Sequence, residues 1–262
     1  MWFLPQGGTI DRGGASEMTV AARTVDAMCG RYATTRSAAD LSALFESYDD
    51  TGGRLVADYN VAPTDPVPVV RMSRRMGGRV LSVARWGLLP PWARTPRAGV
   101  RMINARAETV ATSRAFAASF ARRRCLVPAD GWYEWARRNG SRQAYFMTPR
   151  DGAVLAFAGL WSVWDGPGGP VLTCSIVTTA ALGELAAVHA RMPLILPPDR
   201  WAAWLAGGGD PISLLAPPPE PVLAGIEIRP VGPEVGDVRN NGPGLVAPAP
   251  PLDSAGGELT LF

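Results

Sequence analysis

The amino-acid sequence predicts one α+β domain whose middle is largely antiparallel β-sheet. A chain of 262 residues with 47% hydrophobic and 19% charged side chains is long enough to bury a substantial core. A series of strand-like apolar runs follows in the middle of the chain: "CLVPADGWYEWAR", "QAYFMTP", "AVLAFAGLWSVW" and "VLTCSIVTTAA". The turn-forming stretches "RNGS" and "DGPGG" separate these runs and indicate β-hairpins. Neither an internal repeat nor a linker divides the chain.

Short helices are predicted on either side of these strands. In "RSAADLSALFESY" apolar residues recur at helical spacing after Ser37, a suitable N-cap. "NVAPTDPVPVVRM" is predicted to be extended, and "GRVLSVARWGLLPPWA" to be a turn, a strand and a loop rich in Pro and Trp. Helices are further predicted in "NARAETVATSRAFAASFARRR", in "ALGELAAVHARMPLILP" up to about His189, and in "PDRWAAWLAGG". A last strand, "IEIRPV", follows.

The domain is predicted to span residues 28–246. Residues 1–27 show neither helical nor alternating patterns, so we interpret them as a disordered leader or a misassigned start. Residues 247–262 are expected to form a loose tail. No apolar run reaches the roughly 18 residues that a membrane helix needs, and the first residues lack the features of a signal peptide. We therefore expect a cytoplasmic protein without membrane contact.

All 26 basic residues are arginine, and the formal net charge is +3. A GC-rich genome explains this preference more simply than selection for phosphate binding. Because lysine is absent, an imine with a carbonyl compound would need the N-terminal amine.

The three cysteines show neither metal-site spacing nor the even count of a disulfide framework. Cys125 and Cys174 lie in apolar runs and are predicted to be buried and inert. Cys29 lies in the polar stretch "DAMCGRYATT" and is a candidate nucleophile.

Three further polar residues are candidates for chemistry, and each has a plainer alternative. His189 is the sole histidine, and a lone histidine at a helix end is more often a surface or capping residue. Glu134 is expected to share one strand face with Trp132, which would favour proton exchange near neutral pH, but an exposed strand glutamate is equally plausible. Asn104 precedes a predicted helix, where an N-cap is the default.

Arginine and tryptophan residues near these candidates suggest contacts with single-stranded nucleic acid. Arg106, Arg114 and Arg191 are close to them in sequence. Trp86 and Trp92, together with Trp135, are candidates for stacking on bases. Both residue types are also common at the edge of a core, so none is diagnostic alone.

Several ordered motifs together resemble the SOS-response-associated peptidase (SRAP) family, whose members process abasic sites. They are "MCGRYA", "YNVAPT", "RWGLLPPWA", "INARAET", "TSRAF", "CLVPADGWYEW", "VTTAA", "HARMPLIL" and "VRNNG", from Met28 to about Gly244. The resemblance implies a barrel-like core flanked by short helices and a groove for single-stranded DNA. We also expect a monomer that needs no metal or cofactor.

The activity implied by the resemblance is a covalent crosslink to an abasic site in single-stranded DNA. The α-amine and thiol of an N-terminal Cys29 would form a thiazolidine with the aldehyde of the opened sugar. The implied catalytic residues are Cys29, Asn104, Glu134 and His189, with His189 as a proton donor. The positions implied to bind DNA or shape its groove are Arg31, Pro63, Trp86, Arg106, Arg114, Trp135 and Arg191. AP-lyase and autoproteolytic activities, and a link to the SOS response, are also implied.

One departure from the family concerns the 27 residues before Met28. While they are attached, the nitrogen of Cys29 is an amide and forms no imine. We expect either that Met28 is the true start, which we favour, or that cleavage exposes Cys29. The alternative function is a cysteine peptidase with Cys29 as nucleophile, His189 as base and an asparagine such as Asn240 as orienter. A noncatalytic module that binds single strands is a third interpretation.

Overall fold

The computed structural model describes residues 30–138, 141–206 and 211–250. The predicted leader 1–27, Cys29, the centre of the predicted "RNGS" turn and residues 251–262 of the predicted tail lie outside these ranges. The strands of the described part are β1 (Tyr32–Thr34), β2 (Tyr48–Asp49), β3 (Asp58–Val61), β4 (Pro66–Ser73), β5 (Gly78–Trp86), β6 (Asn104–Arg106), β7 (Arg124–Ala129), β8 (Gly131–Arg138), β9 (Ser141–Pro149), β10 (Leu155–Gly166), β11 (Gly169–Ala180), β12 (Arg191–Pro193) and β13 (Ile226–Val231). The α-helices are α1 (Ala38–Leu44), α2 (Ala117–Arg122), α3 (Pro198–Leu205) and α4 (Glu220–Ala224).

The described strands form two sheets. One has the strand order β13-β9-β8-β1-β3, and the other β12-β11-β10-β7-β4-β5-β2. Because β11 also pairs with β5, the strands β5, β4, β7, β10 and β11 form a closed five-stranded barrel. The pairings of β11 with β5 and β6, and of β2 with β5, are parallel, whereas the long hairpins are antiparallel. The predicted α+β fold with a barrel-like, largely antiparallel core is confirmed.

Both faces of the barrel wall are buried. Along β10, Leu155 and Phe157 pack in one core cluster, whereas the alternate residue Leu160 packs in another. The first cluster includes Trp132 of the smaller sheet, and the second includes Trp204 of α3. Cys125 and Cys174 are both fully buried in the first cluster, as predicted. Burial raises the pKa of both thiols.

The first and last of the predicted helices are confirmed as α1 and α3, whereas the two predicted between them are shorter than expected. Ser37 caps α1, since its side chain accepts a hydrogen bond of 3.1 Å from the Asp40 amide. The long helix predicted after Asn104 is wrong: α2 covers only Ala117–Arg122, and turns precede it. Threonine and serine in "ETVATSR" favour such turns over helix.

The helix predicted before His189 is a single 3-10 helix, Gly183–Ala187, in which Gly183 has a φ of +55°. The predicted final strand is confirmed as β13, and Ala249 in the predicted tail donates a hydrogen bond to the Pro230 carbonyl. Across the described ranges no helix is both long and apolar enough to span a bilayer.

Candidate active site

Glu134 lies in the middle of β8, between β1 and β9, and its side chain is only 4% exposed. Strand alternation directs it to the face of Trp132, which packs in the barrel core. Tyr133 and Trp135 pack on the other face, in a separate cluster. The alternative of an exposed Glu134 is therefore wrong. A buried carboxylate is uncommon in proteins unless it is paired or functional.

His189 is a titratable neighbour of Glu134. Its Nδ1 lies 4.0 Å from Oε1 of Glu134, and its side chain is 22% exposed. The same Nδ1 lies 3.1 Å from the amide nitrogen of Arg191 and 3.2 Å from its carbonyl oxygen. The neutral ring can therefore accept from the amide, and a ring protonated at Nδ1 can donate to the carbonyl. Both proton states of this nitrogen find a partner without movement of the backbone.

The register of β1 brings the start of the described chain to the same place. Tyr32 pairs with Trp132, and the Tyr133 amide donates a hydrogen bond of 2.9 Å to the Arg31 carbonyl. When this antiparallel register continues, Gly30 stands opposite Glu134. Gly30 is buried. The next residue toward the N-terminus is Cys29, which lies outside the described residues.

Asn104 opens β6, a short strand that pairs in parallel with β11, where Ile176 is its partner. The expected N-cap role is therefore wrong, because the chain continues as a strand rather than a helix. The neighbours Ile103 and Ala105 are buried and hold β6 against the core. Asn104 is half-buried at the edge of this strand.

The guanidinium group of Arg31 is held by hydrogen bonds within the protein. Its Nη1 donates hydrogen bonds to Oδ1 of Asn60 (2.8 Å) and to the Val235 carbonyl (2.9 Å). The guanidinium carbon lies 5.9 Å from the Trp135 ring centroid, and Arg142 covers the same ring at 4.9 Å. Burial lowers the pKa of Arg31 despite the opposing effect of acidic neighbours. An arginine held this way presents a fixed charge rather than a mobile one.

Trp86, the last residue of β5, braces the turn that follows Pro63. Trp86 is fully buried, and its Nε1 donates a hydrogen bond of 3.0 Å to the Ile103 carbonyl. Its backbone bonds to both Thr64 and Asp65 hold the turn that follows half-buried Pro63. The stacking of a base on Trp86, expected from the sequence, is wrong for this enclosed ring. The backbone of Trp86 instead supports the turn after Pro63.

Three arginines predicted to contact DNA differ in the exposure and the bonding of their side chains. Arg106 and Arg114 are exposed, and the Arg114 guanidinium lies 5.2 Å from the Trp92 ring centroid. Arg191 forms a bidentate ion pair with Glu108, at 2.6 and 3.0 Å. Arg191 also donates to the Thr178 carbonyl at 2.6 Å. Its side chain is therefore committed to holding the segment that carries His189.

The supporting residues were missed by sequence reasoning. Glu108 anchors Arg191, and Asn60 anchors Arg31. Asn60 in turn donates to the carbonyls of Asp237 and Asn240, which lie about 180 residues further along the chain. The only sequence signal was their position inside the motifs "INARAET" and "YNVAPT".

The orienting role suggested for Asn240 in a peptidase gains no support. The Asn240 side chain donates its hydrogen bond to the Glu234 carbonyl, at 2.8 Å. The partners of the His189 ring given by the structure are Arg191 and Glu134. Within the ranges that the structure describes, no group of three or more His, Cys, Asp or Glu side chains is placed to hold a metal ion.

The fold and the site define a barrel-centred α+β protein with a carboxylate and an imidazole beside its first strand. The chain belongs to the SOS response associated peptidase (SRAP) family, whose model matches residues 28–238. It is 36% identical over 181 residues to the abasic site processing protein YoaM of Bacillus subtilis, covering 68% of this chain and 79% of YoaM. Identity to YedK of Escherichia coli, also named an abasic site processing protein, is 32% over 231 residues, with 84% and 100% covered. A solved structure from Bacteroides thetaiotaomicron has a TM-score of 0.74 at 23% identity, covering 84% of this chain and all of that one.

Proposed function

We propose that this protein processes abasic sites in single-stranded DNA by forming a covalent crosslink through Cys29. The observation that carries the proposal is the buried Glu134 carboxylate, 4.0 Å from the His189 imidazole, beside the strand that leads to Cys29. The names of YoaM and YedK support the substrate class. The chemistry requires a free α-amine on Cys29, so Met28 must be absent from the active form.

The crosslink forms in two steps that balance without an oxidant or a metal. The α-amine of Cys29 attacks the aldehyde carbon of the ring-opened deoxyribose, and loss of one water gives an imine. The sulfur then adds to the imine carbon while the thiol proton passes to the nitrogen. The product is a five-membered thiazolidine. Only a residue with an amine and a thiol on adjacent carbons closes this ring.

His189 and Glu134 divide the proton transfers. His189 donates a proton as the hemiacetal opens, because its ring is partly exposed and has a partner in either proton state. Glu134 is buried and opposite Gly30, so it exchanges protons with the amine and the departing water. Asn104 holds the sugar from the edge of β6.

The remaining predicted residues bind or guide the strand. Arg106 and Arg114 are exposed and contact phosphates, while Arg31 presents a fixed charge beside Trp135. Phosphate contacts give affinity without sequence preference, as a lesion sensor requires. The protein acts as a monomer. Strand cleavage follows when a base removes a proton from C2′ of the imine and the 3′ phosphate departs.

The test uses protein that begins at Cys29, mixed with single-stranded oligonucleotide carrying one abasic site. We expect an adduct that survives denaturing electrophoresis for wild type and none for Cys29→Ala. Cys29→Ser is the matched control, because its amine still forms an imine but its hydroxyl closes no thiazolidine. Folded wild-type protein that gives no stable adduct would refute the proposal.

A second arm separates crosslinking from peptidase chemistry. Acetylation of the Cys29 amine should abolish the adduct, because the nitrogen no longer forms an imine. A peptidase would tolerate this block, since it uses only the sulfur. Peptide hydrolysis that persists after acetylation would favour the peptidase.

A further inference from the structure

Two arginines lie over one tryptophan that the proposed chemistry does not use. The guanidinium carbon of Arg71 is 5.2 Å from the Trp161 ring centroid, and that of Arg123 is 5.6 Å from it. The three residues come from β4, β10 and the segment just before β7. Cation–π contacts of this kind hold guanidinium groups in place and leave their N–H edges available.

Strand register explains why these three side chains meet. Arg71 pairs with Cys125, and Cys125 pairs with Gly159, so these positions share one face of the sheet. Arg123 and Trp161 each lie two residues from that row and share the same face. The Trp161 amide also donates a hydrogen bond of 2.8 Å to the Arg123 carbonyl.

Arg123 connects this cluster with a surface cavity. The cavity has a volume of about 580 Å³ and is also lined by Trp92, Arg114 and Arg122. No residue that lines it is acidic. Arg123 belongs to both the cluster and the cavity, and we call the combined set the arginine track; its members are Arg71, Trp161, Arg123, Arg122, Arg114 and Trp92.

The track carries an excess of positive charge. Among ion pairs within the described ranges, Arg71 has one partner, Asp50, at 3.7 Å, whereas Arg122 and Arg123 have none. Burial lowers the pKa of Arg71, and the nearby charge of Arg75 adds to this effect while Asp50 opposes it. Arg191, whose ion pair with Glu108 is only 2.6 Å long, is not a member of the track. A further anion would therefore be favourable at the track.

We propose that the arginine track binds the sugar–phosphate backbone of the DNA strand where it continues beyond the lesion. This inference rests on the proposed function, because the track begins at Arg114, one of the predicted DNA contacts. Planar guanidinium groups suit phosphate oxygens, and a cavity without carboxylates suits a polyanion. The track lengthens the bound strand without contacting the abasic sugar.

The test compares binding of undamaged single strands of two lengths, about 8 and about 30 nucleotides, across a series of salt concentrations. The variant is the double substitution Arg122→Ala and Arg123→Ala. Its control is Arg36→Ala with Arg200→Ala, which removes the same charge outside the track, at one exposed and one half-buried position. Fluorescence anisotropy gives the dissociation constant at each salt concentration.

For the long strand we expect the slope of log affinity against log salt to become shallower by about 1.4 in the track variant, about 0.7 for each lost phosphate contact. The short strand and the control variant should keep wild-type slopes. An unchanged slope for the long strand, or an equal loss for both strands, would overturn the proposal.

A crosslinking assay on a short abasic strand distinguishes this failure from failure of the proposed function. The track variant should crosslink that strand at the wild-type rate. A missing adduct with the expected change in slope refutes only the crosslinking chemistry. A normal adduct with no change in slope refutes only the track.

Discussion

The site around Glu134 and the arginine track differ in how their charges are held. Glu134 is buried, and His189 beside it has a backbone partner in either proton state. In the track, Arg122 is exposed and Arg123 half-buried, and the contact of Arg123 with Trp161 is its main restraint. Fixed, buried groups suit proton transfer, whereas accessible charges suit salt-dependent binding of a strand.

The largest effect should come from Glu134→Gln, which keeps the shape of the side chain and removes its proton exchange. We expect the single-turnover rate of crosslinking to fall by about 10²- to 10⁴-fold. The affinity for undamaged single strands should stay the same. Quenched time courses on denaturing gels measure the rate, and anisotropy measures the affinity. A variant that loses affinity but crosslinks at the normal rate once saturated would reverse the comparison.

The next effect tests the backbone that supports Glu134. A Cβ added at Gly131 would lie 2.3 Å from the Met147 carbonyl oxygen, in the neighbouring strand β9. Gly131→Ala should therefore lower the free energy of unfolding by about 2 to 4 kcal/mol, measured by urea denaturation. The control is Gly168→Ala in the β10–β11 hairpin, where nothing lies within 4 Å of the added carbon. Equal stability of the two variants would contradict this account.

A smaller effect is expected at Glu108, whose ion pair holds Arg191. The hydrogen bond from Arg191 lowers the pKa of Glu108 below the usual value of 4.5. The contribution to stability is therefore present above pH 4.5 and is lost as the pH falls through the lower folded-state pKa. Because the carboxylate is 52% exposed, Glu108→Gln should cost no more than about 1 kcal/mol at pH 7.

Urea denaturation at pH 7 and at pH 3 tests this pH dependence. The difference in stability between wild type and Glu108→Gln should shrink at the lower pH. A difference that grew on acidification would refute the assigned role of the ion pair.

The smallest expected effect is that the two buried thiols do not react with an alkylating reagent. Cys125 and Cys174 are fully buried, and burial raises the pKa of their thiols. In a Cys29→Ser variant at pH 8, iodoacetamide should leave the native protein unlabelled and should label two thiols after denaturation, as counted by intact mass. Labelling of the native protein would show that the barrel opens more readily than its packing implies.

Local patterns predicted the strands and the capped first helix because alternation and the Ser37 cap are properties of neighbouring residues. The site was harder to predict. The placement of Gly30 opposite Glu134 depends on the register of two strands about 100 residues apart, and the anchoring of Arg31 by Asn60 depends on a side-chain contact. Asn104 was misassigned because its partner strand β11 lies some 70 residues later.

The barrel closes only through the pairings of β11, the last of its five strands along the chain. This strand contacts β5, β6, β10 and β12, and its residue Thr173 pairs with Arg85, 88 positions earlier. Closing such a long loop is entropically costly, and sheets with many distant pairings fold slowly. During synthesis the barrel stays open until β11 has left the ribosome. Until then the end of β5 at Arg85 and Trp86 and the edge of β10 lack their β11 partner, so a nascent chain stalled before residue 169 exposes unpaired strand edges at both places.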